Sequence, residues 1–144
     1  MKLFDNKRAM RLRLLIASEV PAKFRKDKNL TFHHGVGIVI ANRARFLGRA
    51  HIWHNTTIGG KHGAYPTIGD NVFILPHSCI VGGITIGNNV VVGTGSVVVK
   101  PVPDNTIVAG NPAKPIRAIS DEADLGQLIW GATPERLDGL HESE

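Results

Sequence analysis

The sequence has almost no cysteine, few aromatic residues and no long apolar run, and each shortage excludes a class of protein. Cys79 is the only cysteine among 144 residues, so the chain cannot form an internal disulfide framework. Aromatic residues make up 6% of the chain, so its core has to be built largely from aliphatic side chains. The longest apolar-looking run, 90–99, contains glycine and is too short to span a bilayer. No export signal is recognisable either, and we expect one soluble, cytoplasmic domain.

Acidic residues are scarce near the start of the chain, and basic residues are scarce near its end. Residues 1–30 contain nine Lys or Arg and three acids, whereas residues 118–144 contain seven acids and Arg136. A basic segment can bind nucleic acid or a membrane surface, but it more often forms the solvated face of a helix. Aromatic residues do not alternate with the basic ones as they do in nucleic-acid-binding modules. We therefore expect no nucleic-acid partner and favour a solvated face over membrane contact.

What the chain does contain is a six-residue repeat of large side chains. The repeat positions are, in chain order, His34, Ile40, Phe46, Ile52, Ile58, Ile68, Ile74, Ile80, Ile86, Val92 and Val98. A helix shows a period of three to four residues and a half-buried strand a period of two, so neither explains a period of six. A short strand followed by a turn has this length. Three such units close one coil of a parallel β-helix.

We therefore predict an all-β fold, a parallel β-helix with a short helical cap at each end. The predicted segments are a basic helical segment over 1–27, the β-helix over 28–117 with an irregular loop at 59–67, and an acidic helical tail over 118–144. Ser120 is the predicted N-cap of the helix in the acidic tail.

The repeat register predicts a polar cluster around His34, which is the one repeat position that is not apolar. In this register His34 lies over Ile52 of the next coil, and His54 lies close to His34. His33 lies over His51 on an outward position, so we interpret it as a neighbour of the cluster without a chemical role.

An irregular loop interrupts the repeat between Ile58 and Ile68, and it carries His62 and Tyr65. Irregular loops on a regular scaffold often carry function. A zinc site of the kind found in gamma-class carbonic anhydrases would need two histidines five residues apart, which this chain lacks, so we expect no metal. Two roles stay open for His34: a hydrogen-bonded structural histidine, or a general base that removes a proton from a hydroxyl group.

Five motifs of the chain resemble segments of the hexapeptide-repeat acyltransferases. They are HHGVGIVI (33–40), TTIGG (56–60), IGDNVFI (68–74), IGNNVVVGTGSVV (86–98) and VPDNTIVAGNPAKPIR (102–117). Within that family the chain is most similar to the serine acetyltransferases and to the exopolysaccharide O-acetyltransferases of the colanic-acid type. The resemblance implies a left-handed β-helix, a homotrimer with active sites between subunits, and acetyl-CoA as the acyl donor.

The resemblance also implies roles for individual residues. His34 matches the family's catalytic base, and Glu19 stands fifteen residues earlier, where serine acetyltransferases have an acid that orients the base. The backbone N–H groups of Gly59 and Gly60 are the expected oxyanion donors. The expected contacts of the coenzyme are Thr94 and Gly95 along the pantetheine arm, and Lys100, Lys114 and Arg117 near the phosphates.

Departures from the serine acetyltransferases favour a sugar as the acceptor. Those enzymes have a histidine before a proline in the active-site loop, where this chain has Tyr65-Pro66. His62 is then a substitute catalytic histidine, or Tyr65 contacts the acceptor, and His54 is expected to assist in catalysis or acceptor binding. We predict acetyl transfer to a hydroxyl of a sugar or polysaccharide precursor. Serine acetylation is the first alternative, and a catalytically silent trimeric scaffold is the second.

Overall fold

The six-residue repeat folds as a parallel β-helix of about four coils in the computed structural model, which describes residues 6–130. The first sheet contains β1 (Leu30–Phe32), β4 (Ala50–Ile52), β7 (Val72–Ile74), β10 (Val91–Val92), β12 (Thr106–Gly110) and β13 (Ala113–Ala118). The second contains β2 (Val39–Ile40), β5 (Thr57–Gly59), β8 (Cys79–Val81) and β11 (Val97–Val98). The third contains β3 (Arg45–Phe46), β6 (Thr67–Ile68) and β9 (Thr85–Ile86). Neighbouring strands are parallel except β12 and β13, which form an antiparallel hairpin.

Corners between the sheets form three edges that run along the β-helix. The first edge joins the first sheet to the second and is made by residues 33–38, 53–56, 75–78 and 93–96. The second edge joins the second sheet to the third and includes residues 41–44, 60–66 and 82–84. The third edge leads back to the first sheet through residues 47–49, 69–71 and 87–90.

Most side chains at the repeat positions point inward and stack from coil to coil, as predicted. In the second sheet Ile40 lies over Ile58, and Ile58 lies over Ile80. In the first sheet Ile52 lies over Ile74. All of these side chains are almost fully buried. The core is therefore a set of aliphatic columns, and its stability comes from apolar area removed from water.

The first coil departs from the predicted register, and the prediction that His34 lies over Ile52 is wrong. Phe32 pairs with Ile52, whereas His34 is exposed at the first edge. The cause is the corner 33–38, which is two residues longer than the corresponding corner 53–56. The backbone φ angle of His34 is 66°, and two glycines in the same corner also have positive φ, so the chain turns there without a strand.

The end of the β-helix near the start of the chain is closed by a short helix, not by the longer one that precedes it. Helix α1 (Asn6–Ile16) leaves Leu12, Leu15 and Ile16 exposed. Helix α2 (Ala22–Arg25) buries Phe24. That side chain packs edge-to-face against Phe46, with 5.2 Å between ring centroids. The predicted cap therefore exists, but α2 provides it.

Helix α3 (Glu122–Trp130) follows the hairpin and lies along the outer face of the first sheet. The prediction that it caps the end of the coil is wrong. The outer face is apolar on β7, β10 and β12, so that part needs a cover; Phe73, Val91 and Ile107 pack with Leu125 of the helix. The N-cap is Asp121 and not Ser120, because the Asp124 N–H donates to Asp121 Oδ1 at 2.7 Å.

The rest of the predicted tail, 131–144, lies outside the described residues. Across residues 6–130, no helix has the length and hydrophobicity that crossing a membrane requires.

Candidate active site

Three histidine side chains lie one above another along the first edge, on successive coils. The ring centroids of His34 and His54 are 5.3 Å apart with an interplanar angle of 86°, and those of His54 and His77 are 5.4 Å apart at 80°. His34 and His77 both have positive φ, 66° and 61°, which is rare for a residue other than glycine. We call His34, His54 and His77 the histidine column. It brings together two of the predicted site residues, His34 and His54.

The middle member of the column is held in a neutral state by its surroundings. Burial lowers the pKa of His54 below its usual value of 6.5, and the charges that His34 and His77 can carry lower it further. Its Nδ1 atom is buried and has no hydrogen-bond partner within residues 6–130. A second proton would add a charged N–H group at that unpaired position, so protonation is disfavoured.

Ser18 fixes the corner that carries His34, and the sequence analysis missed it. The Ser18 hydroxyl donates to the Gly35 carbonyl oxygen at 3.0 Å and accepts from the Ile38 N–H at 3.0 Å. The two bonds hold the part of the corner that directly follows His34. No sequence pattern marks Ser18 for this role, because the contact joins residues about twenty apart.

The backbone of Glu19 extends the second sheet by pairing with its first strand, β2. The Glu19 N–H donates to the Ile38 carbonyl at 2.8 Å, and the Ile40 N–H donates to the Glu19 carbonyl at 2.9 Å. The Glu19 side chain is exposed, and within residues 6–130 it makes no hydrogen bond to His34. Its predicted role in orienting the base therefore stays a prediction without a contact to support it.

The predicted active-site loop lies on the second edge, away from His34 in the same chain. Lys61 and Ala64 pair through their backbones and tighten the loop around His62, which is exposed. Tyr65 packs against Gly60 so closely that a Cβ atom there would lie 2.5 Å from the tyrosine ring. Gly60 is therefore required for the position of this ring. The structure does not bring Gly59, Gly60, His62 or Tyr65 to the histidine column of the same chain.

The predicted coenzyme contacts fall into separate groups. Thr94 and Gly95 are exposed on the first edge, and the Gly95 N–H donates to the Pro76 carbonyl next to His77 at 2.9 Å. They therefore continue the edge that carries the histidine column.

The three predicted phosphate contacts differ in whether their charged groups are already paired with an acidic side chain. Lys100 and Lys114 are exposed. The Arg117 guanidinium forms two 2.7 Å hydrogen bonds to the Asp124 carboxylate, which raise the pKa of Arg117 and lower that of Asp124. Arg117 is therefore already engaged in positioning α3.

Beside the column, His33 belongs to a packed group of rings on the outer face of the first sheet. Its Nε2 atom lies 3.1 Å from Nδ1 of His51, as the predicted contact between the two requires. Its ring stacks on Trp53 at 4.0 Å between centroids. The Trp130 ring of α3 lies 5.9 Å from His33. Burial, followed by the neighbouring charge of His34, lowers the pKa of His33 from 6.5 to about 4.

The low pKa of His33 predicts a loss of stability in mild acid. The unfolded chain binds a proton at His33 below pH 6.5, while the folded chain resists it until about pH 4. The free energy of unfolding should therefore fall as the pH drops through this interval. In His33→Phe, which keeps a ring in the stack, urea denaturation across that interval should show a shallower pH dependence. An unchanged dependence would mean that other groups control it.

No group of three or more His, Cys, Asp or Glu side chains in the described part of the chain is arranged to hold a metal ion.

Comparisons with known proteins agree with this fold. The family profile "Bacterial transferase hexapeptide (six repeats)" matches residues 65–100. Serine acetyltransferase 4 of Arabidopsis thaliana is 37% identical over 115 residues, which cover 77% of this chain and 32% of that protein. Galactoside O-acetyltransferase of Escherichia coli is 39% identical over 89 residues, covering 60% of this chain and 44% of that protein.

A solved structure of serine acetyltransferase from Neisseria gonorrhoeae superposes with a TM-score of 0.61 at 39% identity, covering 68% of this chain and 40% of that one. The chain spans 32% to 57% of the length of several curated serine acetyltransferases that it matches. The repeat profile, the shared coil and these relatives together show that the chain belongs to the hexapeptide-repeat transferase family.

Proposed function

We propose that this chain transfers the acetyl group of acetyl-CoA to a hydroxyl group, with His34 as the general base. The observation that carries the proposal is the state of His34: an exposed imidazole on a pinned corner, without a hydrogen-bond partner in residues 6–130. Such a ring can accept a proton from a bound hydroxyl group. The named acetyltransferases among its relatives support the choice of reaction.

The proposed reaction is addition of the acceptor to the thioester carbonyl followed by loss of the thiolate, without a covalent intermediate on the enzyme. The acceptor oxygen forms a bond to the carbonyl carbon while its proton passes to the free nitrogen of His34, and the carbonyl electron pair moves onto the carbonyl oxygen. When this oxyanion collapses, the C=O bond reforms and the C–S bond breaks. The leaving thiolate takes the proton back from His34. The products are an acetyl ester and coenzyme A, and His34 is neutral again.

We place the pantetheine arm along the first edge, because Thr94 and Gly95 are exposed there on the coils beyond the histidine column. We assign the coenzyme phosphates to Lys100 and Lys114, since both ammonium groups are exposed. Arg117 is a weaker choice than the sequence suggested, because Asp124 already neutralises it.

We infer that the site is completed by a second copy of the chain within a homotrimer. The loop with His62 and Tyr65 lies on a different edge from His34, so one chain cannot bring the loop to its own base. A neighbour packed beside the first edge can. This arrangement would also let the backbone of a neighbour's Gly59 or Gly60 approach the reacting acetyl group.

For the acceptor, we propose L-serine as the first candidate and a sugar hydroxyl as the second. The sequence alone favoured a sugar, but serine acetyltransferases are prominent among the relatives and solved structures that match this chain. The galactoside O-acetyltransferase match and the Tyr65-Pro66 departure in the loop support the second candidate.

The test is release of the coenzyme A thiol from acetyl-CoA in the presence of L-serine, free hexoses, nucleotide sugars or oligosaccharides. Acetyl esters are identified by mass spectrometry, so that hydrolysis of the thioester is not mistaken for transfer. Transfer to serine alone supports the first candidate, and transfer to a sugar alone supports the second. A folded chain that neither binds acetyl-CoA nor releases thiol would instead be a structural or binding module.

A further inference from the structure

The histidine column contains a hydrogen-bond donor that the sequence did not assign to the reacting oxygen. Of the oxyanion donors expected from sequence, Gly59 ends strand β5 and Gly60 begins the second-edge corner 60–66. His34 lies at the first edge, where the ring of His54 is its neighbour at 5.3 Å. A donor for the oxyanion can come from another copy of the chain or from the first edge itself, where His54 is the ring next to His34.

The burial of one ring nitrogen fixes which nitrogen of His54 carries the proton. Nδ1 is buried without a partner in the described residues. Among buried backbone groups, an unpaired N–H donor is rarer in folded proteins than an under-satisfied acceptor, and we apply the same preference to the ring nitrogen. The proton of the neutral ring therefore belongs on Nε2, which is not among the buried unpaired atoms.

We propose that the Nε2–H group of His54 donates a hydrogen bond to the acetyl carbonyl oxygen as this oxygen becomes negatively charged. The proposal rests on the proposed acetyl transfer and adds a second catalytic residue to it. In the transition state the hydrogen bond from Nε2–H to the acetyl carbonyl oxygen becomes stronger. No proton is transferred, so His54 keeps its proton throughout. The donor is preorganised, because the ring is held between those of His34 and His77.

Two similar rings then have different tasks because their environments differ. His34 is exposed, so it can take up the proton of the acceptor. His54 is partly buried between two other imidazoles, and its pKa is lowered, so it stays neutral. Once His34 is protonated, its positive charge disfavours a proton on His54 still more. An acid–base residue and a neutral donor can therefore function side by side.

Kinetics of three variants of the full chain test this role. In His54→Phe the ring stays in the column but its N–H is lost, and kcat should fall about 10²–10³-fold, as for loss of an oxyanion donor. The Kd for acetyl-CoA should change little. His54→Gln restores a neutral N–H donor of similar reach and should recover part of kcat. His77→Asn removes the imidazole one coil farther from His34, at a φ of 61° that asparagine tolerates, and should lower kcat far less.

Side-chain ¹⁵N chemical shifts of the unmutated chain provide a readout that does not depend on activity. At neutral pH, His54 should show a protonated Nε2 and an unprotonated Nδ1. A proton on Nδ1, a KM effect without a kcat effect in His54→Phe, or an equal loss in His77→Asn would overturn the inference while leaving acetyl transfer intact. If the unmutated chain transfers no acetyl group to any acceptor, the proposed function fails, and this role fails with it.

Discussion

Replacing His34 with asparagine is expected to lower kcat for acetyl transfer by about 10²–10⁴-fold, the usual cost of losing a positioned base. Asparagine is the informative substitute because the φ angle of His34 is 66°, and asparagine tolerates this left-handed region better than alanine does. The change removes the imidazole and keeps the corner. Binding of acetyl-CoA should stay near that of the unmutated chain, since the general base acts on the acceptor.

The chain offers one matched control and one test of the competing base for this substitution, because His77 and His62 also have positive φ, 61° and 52°. His77→Asn makes the same change on the same edge, two coils from the base, and a large loss of kcat there would point to damage of the fold. His62→Asn makes it on the loop. If His62→Asn abolishes transfer while His34→Asn retains it, the loop histidine is the base and the assignment of His34 is wrong.

Replacing Ile74 with alanine is expected to lower the free energy of unfolding by about 2–5 kcal/mol, the range for large-to-small changes at buried aliphatic sites. Ile74 is fully buried between Ile52 of the preceding coil and Val92 of the next. Neighbouring coils cannot collapse into the space, because their backbones are held by the strand ladder. The cavity therefore persists, and its cost adds to the lost burial.

Ile116→Ala is the matched control, since it makes the same chemical change at a side chain that is 62% exposed. Its effect should stay within about 0.5 kcal/mol. Urea denaturation of both variants at one protein concentration gives the comparison, because association of chains would otherwise alter the midpoints. Equal effects of the two substitutions would contradict the account of the core as stacked aliphatic columns.

The spacing of apolar residues was enough to predict the coil and most of its inward residues. Such spacing reports which side chains stack, and the columns through Ile58 and Ile74 follow from it directly. It does not report corner length, which depends on backbone conformation at single residues. The misplacement of His34 arose there, because the corner 33–38 contains two more residues than the corner 53–56.

Two other features of the site could not be read from spacing, because each depends on contacts between distant segments. Ser18 reaches the His34 corner only after the chain has passed α2 and begun its first coil. Helix α3 has the composition of a cap, but its position is decided by the apolar outer face of the first sheet. The family resemblance identified His34 as the candidate base, and the structure showed which rings surround it.

Differences in coil length in this chain are confined to the corners, as at 33–38 and 60–66, while the strands keep their columns aligned. Extra residues at a corner therefore do not affect the core. They lengthen the perimeter of the coil, while the inward side chains of the strands stay stacked on those of the neighbouring coils. Natural variation could lengthen or shorten a loop at an edge, and so reshape an acceptor pocket, with little effect on folding. The same property suggests an engineering route, in which loops are exchanged at one edge to change the acceptor while the aliphatic columns are left untouched.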